Sequence, residues 1–222
     1  MKAKPEVRSS NDESSPKLEV RMPNSRYQSN KKRRMRCSIA AAAAVLLACA
    51  APQTGGTKDV KPTGAAKSMT LTSPAFTQGK AIPAKFTGDG QDVSPALAWA
   101  PVPESAASFA LICRDPDAPS GTFIHWVVYN IPPAKEGLAG LPEALPKADK
   151  LTNGTIQGRN DFGRFGYNGP KPPPGKPHRY FFDLFALDTM LPAEAEVNAG
   201  RLQVMMTGHV IGTAELMGTY QR

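Results

Sequence analysis

Seven short runs of β-branched, aromatic and other apolar residues follow one another from position 69 onward, and turn-forming proline, glycine and asparagine residues separate them. Short runs of this composition, bounded by turn residues, predict β-strands. Seven such strands with proline- and glycine-rich connections favour a mainly β fold, an antiparallel β-sandwich. The predicted strands are 69–72, 82–86, 97–99, 108–113, 123–131, 155–158 and 180–187.

The large aromatic side chains are confined to the same part of the chain. Residues 69–222 contain both tryptophans, all nine phenylalanines and four of the five tyrosines. A core of roughly 150 residues is large enough to fold without disulfides. We therefore predict one domain at 68–222, in which Cys113 is a buried thiol rather than a reactive one.

A short helix is predicted near the C-terminus. Asn198 is a suitable N-cap, and residues 202, 205, 206, 209 and 210 are apolar residues or histidine at helical spacing. Gly212 would end this helix, and residues 213–220 would return to the body of the domain. The two methionines of the helix are interpreted as core residues.

A basic segment and a short apolar run precede the domain. Lysine and arginine fill most of positions 31–36, and the mostly apolar run 37–48 ends before Cys49. About a dozen apolar residues are too few to span a bilayer but are typical of a secretory signal. The sequence Leu46-Leu47-Ala48-Cys49 resembles the bacterial lipobox, in which the cysteine is lipidated and becomes the first residue of the mature protein.

These features predict a polar extension plus lipoprotein signal peptide at 1–48, lipidation of Cys49, and a flexible linker at 49–67 rich in small and polar residues. A lipid anchor would then hold the protein on a membrane of a bacterial cell envelope, at its periplasmic or other extracytoplasmic face. Two other interpretations stay open. The basic segment is also typical of nuclear localisation, and a signal could be cleaved at Ala48-Cys49-Ala50 without lipidation.

The positive charge of the chain lies outside the predicted domain. The formal net charge is +8, from 27 Lys or Arg and 19 Asp or Glu. Residues 1–48 hold 11 of these bases and 4 of the acids, which leaves 16 bases and 15 acids for the rest. Nucleic-acid binding requires clustered Lys and Arg, so a nucleic-acid partner is not expected for the domain.

Three segments of the domain carry a specific pattern. They are Asp115-Pro-Asp117-Ala-Pro119 continuing through His125, Gly158-Arg-Asn160-Asp161 continuing through Gly169-Pro170, and Pro172-Pro-Pro174-Gly175 followed by His178-Arg179-Tyr180. Together they resemble the bacterial branch of the phosphatidylethanolamine-binding protein family, also called Raf-kinase-inhibitor-like proteins. The resemblance implies the β-sandwich of that family. It also implies a ligand pocket lined by Asp115, His125 and His178, with Gly169, Pro170 and Tyr180 beside it.

The chemistry of these residues suits a small anion. His125 and His178 can donate hydrogen bonds to an oxyanion, as neutral rings or as cations. Asp115 can orient one imidazole, favour its protonation, or accept an ammonium group from a ligand such as phosphoethanolamine. Gly169 and Pro170 would form a rigid wall, because proline fixes φ and glycine permits close backbone approach.

Neighbouring residues have more ordinary interpretations. Tyr167 and Tyr180 are equally compatible with the rim of the pocket and with the core. Asp117 is interpreted as a turn residue that bonds its own backbone, and His209 as packing at the helix end. Arg179 is expected to pair with a carboxylate such as Asp161 or Asp183.

The predicted function is therefore a non-catalytic binding module for a small anionic group or phospholipid headgroup, without cofactor or metal. The resemblance also implies that a protein partner could be regulated or inhibited. Two enzymes are alternatives. A metal-dependent hydrolase would use Asp115, His125 and His178 as ligands, and a serine hydrolase would use Ser120 with His125 and Asp115, although no G-x-S-x-G sequence surrounds this serine.

Overall fold

The computed structural model describes residues 67–133 and 139–222, so the predicted signal peptide, Cys49 and nearly all of the linker lie outside the described residues. Within these ranges no helix is long and apolar enough to cross a membrane. The elements in chain order are β1 (Lys67–Ser68), β2 (Thr70–Thr72), a 3-10 helix (Ala84–Phe86), β3 (Leu97–Ala100), β4 (Ser108–Asp115), β5 (Phe123–Ile131), β6 (Ala139–Leu141), β7 (Ile156–Gln157), β8 (His178–Leu187), α1 (Ala199–Met206) and β9 (Val210–Tyr220).

The strands of the described ranges form two sheets. The larger has six strands in the order β1-β9-β8-β4-β5-β7, and the smaller has three in the order β2-β3-β6. Neighbouring strands run antiparallel, apart from the short β1, which is parallel to β9. The predicted mainly β, largely antiparallel fold with one short helix near the C-terminus is confirmed.

Apolar residues cover both faces of the larger sheet. On one face, Leu71 and Trp99 of the smaller sheet belong to the same buried cluster as Phe109 and Trp126. On the other face, a second cluster contains apolar residues of α1, including Leu202. Strands β4 and β5 are therefore buried on both sides, which explains why their sequences are nearly continuous apolar runs rather than alternating ones.

The C-terminal part differs from the prediction in where its helix ends. Asn198 caps α1 as predicted, since its side chain accepts a hydrogen bond from the Arg201 amide at 2.8 Å. The helix stops at Met206, and Gly208 takes a φ of 85°, which favours glycine and ends the helix before Gly212. Residues 210–220 form β9 and pair with β8 along the whole of that strand.

The strand predicted at 82–86 is wrong, because Ala84–Phe86 form a turn of 3-10 helix. Pro83 has no amide hydrogen for a β-ladder, and its carbonyl instead accepts a hydrogen bond from the Phe86 amide at 2.9 Å. The apolar side chains of Ile82 and Phe86 are nevertheless buried in the core, as strand residues would be. Burial and secondary structure therefore have separate causes in this segment.

Candidate functional site

Two adjacent strands bring Asp115 and His178 together. β4 ends at Asp115 and β8 begins at His178, and the antiparallel register of these strands pairs Arg114 with Phe181. Nδ1 of His178 lies 2.8 Å from Oδ2 of Asp115. The other carboxylate oxygen accepts a hydrogen bond from the Asp117 amide at 2.8 Å, and the Asp115 side chain is buried. The carboxylate is thus engaged through both oxygens and orients the imidazole of His178.

An irregularity in β5 determines where His125 lies. Cys113 pairs with Trp126 and Arg114 pairs with Ile124, so His125 is an extra residue in its strand. Such a β-bulge disturbs the alternation of side chains and re-aims them, and bulges are common next to functional sites. His125 is buried, and its Nδ1 lies 2.7 Å from the Asn168 carbonyl oxygen. The strand was predicted from the sequence, but the bulge was not.

The partners of both rings define their hydrogen positions. A carbonyl or carboxylate oxygen only accepts, so Nδ1 of His125 and Nδ1 of His178 each carry a hydrogen. In the neutral rings Nε2 then holds a lone pair, and within the described residues neither Nε2 forms a hydrogen bond. Each Nε2 can donate to an anion only after it binds a proton.

Burial is the main influence on the protonation of His125. It lowers the pKa of the imidazole below its ordinary value. The hydrogen bond to Asn168 and the negative charges of Asp115, Asp161 and Asp92 act in the opposite direction but are weaker. His125 is therefore mainly neutral near pH 7, and a bound anion would favour its protonated form.

Gly169 and Pro170 form a wall packed on the segment 86–88. The Gly169 amide donates to Oδ1 of Asp92 at 2.6 Å, and the Pro170 carbonyl accepts from the Gly88 amide at 2.8 Å. A Cβ atom on Gly169 would lie 2.3 Å from the Phe86 carbonyl oxygen, so only glycine permits this approach. Because Asp92 already accepts the Gly169 hydrogen bond, this amide contributes rigidity to the site.

Asn160 connects the loops around His125, a role that was not predicted from the sequence. Its side-chain nitrogen donates to the Gly166 carbonyl at 3.0 Å and to Oδ1 of Asn168 at 2.9 Å, and its Oδ1 accepts from the Phe162 and Arg164 amides at 3.1 Å. The side chain is buried, so these bonds are shielded from water. An asparagine between turn-forming residues is the available sequence signal, because such side chains organise loops.

Both tyrosines left open by the sequence are buried. The Tyr167 hydroxyl donates to the Phe86 carbonyl at 2.8 Å, which makes it a core residue. The Tyr180 ring stands edge-on to His125 with centroids 5.2 Å apart, and its buried hydroxyl has no partner among the described residues. Burial, and secondarily the charge of Asp115, raise the pKa of Tyr180 well above its ordinary range. Tyr180 is therefore a wall of the site with a neutral hydroxyl.

Two phenylalanine side chains also contact His125. The rings of Phe123 and Phe162 lie 5.4 and 5.5 Å from the His125 ring, and they contact each other edge-on at 4.9 Å. Phe162 is 44% exposed, although Phe123 is half-buried and His125 is buried. The imidazole of His125 is thus enclosed mainly by aromatic rings, which accounts for its desolvation.

The charged partners near the site differ from the prediction. The Asp117 carboxylate accepts three hydrogen bonds from Arg179, one from its amide and two from its guanidinium, which lower the pKa of Asp117 to about 2. The predicted partners of Arg179 are engaged elsewhere, because Asp161 accepts from the Ile124 amide and Asp183 binds Arg114. These pairings join residues distant in sequence, so their spacing gave no signal.

The remaining candidates lie apart from this arrangement. His209 is exposed and bonds Asp188 at 2.9 Å instead of packing against the helix end. Ser120 is exposed and forms no hydrogen bond with His125 among the described residues. In residues 67–133 and 139–222, no group of three or more His, Cys, Asp or Glu is placed to hold a metal ion. Asp115 and His178 bind each other directly.

Comparison with protein families gives one match that covers most of the chain. The family model described as "Phosphatidylethanolamine-binding protein" matches residues 72–221. A UPF0098 protein of Methanothermobacter thermautotrophicus is 49% identical over 154 residues, which are 69% of this chain and 99% of the relative. A UPF0098 protein of Aquifex aeolicus is 44% identical over 156 residues, 69% of this chain and 89% of the relative.

Two solved structures share the fold of the described domain. A phosphatidylethanolamine-binding protein homologue from Chlamydia trachomatis superposes with a TM-score of 0.63 at 41% identity, covering 70% of this chain and 98% of the other. YbcL of E. coli, described as a member of the mammalian family of these proteins, has a TM-score of 0.62 at 36% identity, covering 69% of this chain and 98% of the other. Both identities are high enough to indicate common descent as well as a common fold.

Proposed function

Because the chain belongs to the phosphatidylethanolamine-binding protein family, we propose that residues 68–222 are a non-catalytic module that binds a small anionic group, phosphate or a phosphoethanolamine-like headgroup, at His125 and His178. The single observation that carries the proposal is the fixation of both rings through Nδ1. His178 donates to Asp115 and His125 donates to the Asn168 carbonyl. The Nε2 atom of each ring is the one that could bind a ligand.

Donation of a hydrogen bond from either Nε2 to an anion requires proton uptake. An Nε2 atom that holds a lone pair repels an oxyanion, whereas a protonated Nε2 donates a charge-assisted hydrogen bond. Asp115 holds the imidazole of His178 in place through the existing hydrogen bond to Nδ1. For His125 the burial that lowers its pKa must be overcome. We therefore expect anions to bind more tightly as the pH falls from 8 to 5.5.

The proposal is tested by calorimetric titration of the full-length protein with phosphate and phosphoethanolamine at pH 5.5 and 8. Sulfate, whose charge is constant over this range, separates the protonation of the histidines from that of the phosphate. Loss of one charged hydrogen bond costs about 1.5 to 3 kcal/mol, so His125→Ala and His178→Ala should each weaken binding by roughly ten- to a hundredfold. Wild-type protein should bind sulfate more tightly at pH 5.5.

His209→Ala is the matched control, because this exposed histidine also bonds a carboxylate through Nδ1 but lies outside the site. It should bind the three anions as the wild type does. Equal affinity of the wild type and both site variants at both pH values would contradict the proposal. A protein ligand that presents an anionic group would use the same two imidazoles and would be weakened by the same substitutions.

We also propose that a lipid on Cys49 holds this module at a membrane of the bacterial cell envelope. The support comes from the sequence alone: the basic segment at 31–36, the apolar run that follows it and the Leu-Leu-Ala-Cys end. The residues between Cys49 and the first described strand would serve as a tether. An anchored module could then reach a phospholipid headgroup or another anionic group near that membrane.

A further inference from the structure

Phe162 is a large apolar side chain that remains in water at the candidate site. It is 44% exposed, and its ring contacts both Phe123 and His125 edge-on. Exposed single apolar residues are common on protein surfaces and need no explanation by themselves. Phe162 differs from such residues because it joins an aromatic cluster around one of the two proposed anion donors. Much of its ring is nevertheless unburied.

The backbone that carries Phe162 is held rigidly. Asn160, which is buried, accepts hydrogen bonds from the Phe162 amide at its side-chain oxygen and from the Gly163 amide at its carbonyl. Asp161 is tied to β5 in both directions, since its amide donates to the Ile124 carbonyl and its carboxylate accepts from the Ile124 amide. Little backbone freedom remains to be lost when a ligand contacts Phe162, which favours binding.

We propose that Phe162, together with Phe123, binds the apolar organic group of an anionic ester whose charged group is held by His125 and His178. This inference rests on the proposed function and adds the class of ligand: an anion joined to an apolar or aromatic group. The exposed part of the Phe162 ring would be covered by that group. Phe162 is then a specificity-determining residue, because it would contact the organic group of a substituted anion, which a bare anion lacks.

The experiment compares inorganic phosphate, phenyl phosphate and phosphoethanolamine as probes for the full-length protein at pH 5.5. Aromatic pairs contribute beyond their buried area, so wild-type protein should bind phenyl phosphate about three- to tenfold more tightly than inorganic phosphate. Phe162→Ala should remove this preference, so that the ratio of the two affinities falls to about one; a change that loss of the ring causes at His125 affects both probes and cancels in the ratio. The affinity for phosphoethanolamine, whose organic group is polar and charged, should change by the same factor as the affinity for inorganic phosphate.

Val204→Ala is the matched control, because this residue is 62% exposed and lies on α1, outside the aromatic cluster around His125. It should retain the preference for phenyl phosphate. The comparison of probes on the wild-type protein needs no variant. If inorganic phosphate binds as tightly as phenyl phosphate, this inference is overturned and the proposed function is not. Failure of inorganic phosphate, phenyl phosphate and phosphoethanolamine alike to bind would overturn the proposed function and this inference with it.

Loss of phosphoethanolamine affinity in Phe162→Ala, with phenyl phosphate unaffected, would also overturn the inference. That result would mean that the aromatic rings bind the ammonium group by cation–π attraction instead of an apolar group. Equal weakening of all three probes would overturn it as well, because Phe162 would then support His125 without selecting the ligand. Only selective loss of phenyl phosphate supports the assignment.

Discussion

Replacing Asp115 with asparagine separates two roles that a carboxylate at this position can have. The side chain accepts hydrogen bonds from the Asp117 amide and from Nδ1 of His178, both at 2.8 Å. Asparagine has nearly the same shape but offers one acceptor oxygen in place of two. The retained oxygen can serve the Asp117 amide, and the new NH2 group then faces the histidine. His178 must move its hydrogen to Nε2 so that Nδ1 can accept.

The expected magnitude follows from this change of tautomer. Neutral His178 could still donate from Nε2 to an anion, but its Nδ1 would no longer be hydrogen-bonded to a charged carboxylate. A hydrogen bond to a charged group is worth about 1 to 1.5 kcal/mol more than a neutral one, which is roughly a five- to tenfold change in affinity. Because the carboxylate orients His178, phosphate and phosphoethanolamine should be weakened equally.

Calorimetry with both anions at pH 5.5 measures the affinities, and nitrogen chemical shifts of the His178 ring report which nitrogen carries the hydrogen. Asp188→Asn is the control, since Asp188 bonds the exposed His209 in a similar pair at 2.9 Å. It should change neither affinity. A selective loss of phosphoethanolamine, with phosphate unaffected, would refute the reasoning and show that Asp115 accepts the ligand's ammonium group. Unchanged affinity for both anions would refute it too.

Two further predictions concern the wall of the site and the anchor. Gly169→Ala should destabilise the protein by about 1 to 3 kcal/mol in urea denaturation, because its Cβ would lie 2.3 Å from the Phe86 carbonyl oxygen. Gly200→Ala, whose Cβ meets nothing closer than 3.6 Å, should not destabilise, and equal stability losses would contradict the explanation. Wild-type protein expressed in bacteria should incorporate labelled palmitate, Cys49→Ser should lose it and Cys37→Ser should keep it; unchanged labelling of Cys49→Ser would exclude the lipobox.

The strands that the sequence predicts well are those buried on both faces. Segments 108–113 and 123–131 are nearly continuous apolar runs, and both are found as β4 and β5 with an error of at most two residues at an end. β9 was missed because it contains Gly212 and Gly218 and several good helix formers. Its pairing with β8 overrides these local preferences. Gly218 is also needed there, because a Cβ atom would lie 2.6 Å from the Ile82 side chain.

Part of the candidate site could be predicted from the sequence. The pairing of Asp115 with His178 places two of the predicted pocket residues in direct contact, and His125 lies beside Tyr180. Which nitrogen of the His125 imidazole forms a hydrogen bond depends on Asn168 and on a β-bulge, and neither produces a periodic signal in the sequence. The partner of Arg179 was mistaken for the same reason, since several carboxylates were equally plausible before the strands were aligned.

The pairing of β4 with β8 also determines the stage of folding at which the candidate site forms. Asp115 and His178 are 63 residues apart in the chain and come into contact only after these two central strands have paired. Strands that are distant in sequence pair slowly, because closing the long intervening segment costs conformational entropy before any contact between the strands has formed. A chain in which β4 and β8 have not yet paired therefore lacks the proposed anion site. An anion that occupies the site would slow unfolding of the native protein and leave the rate of folding unchanged.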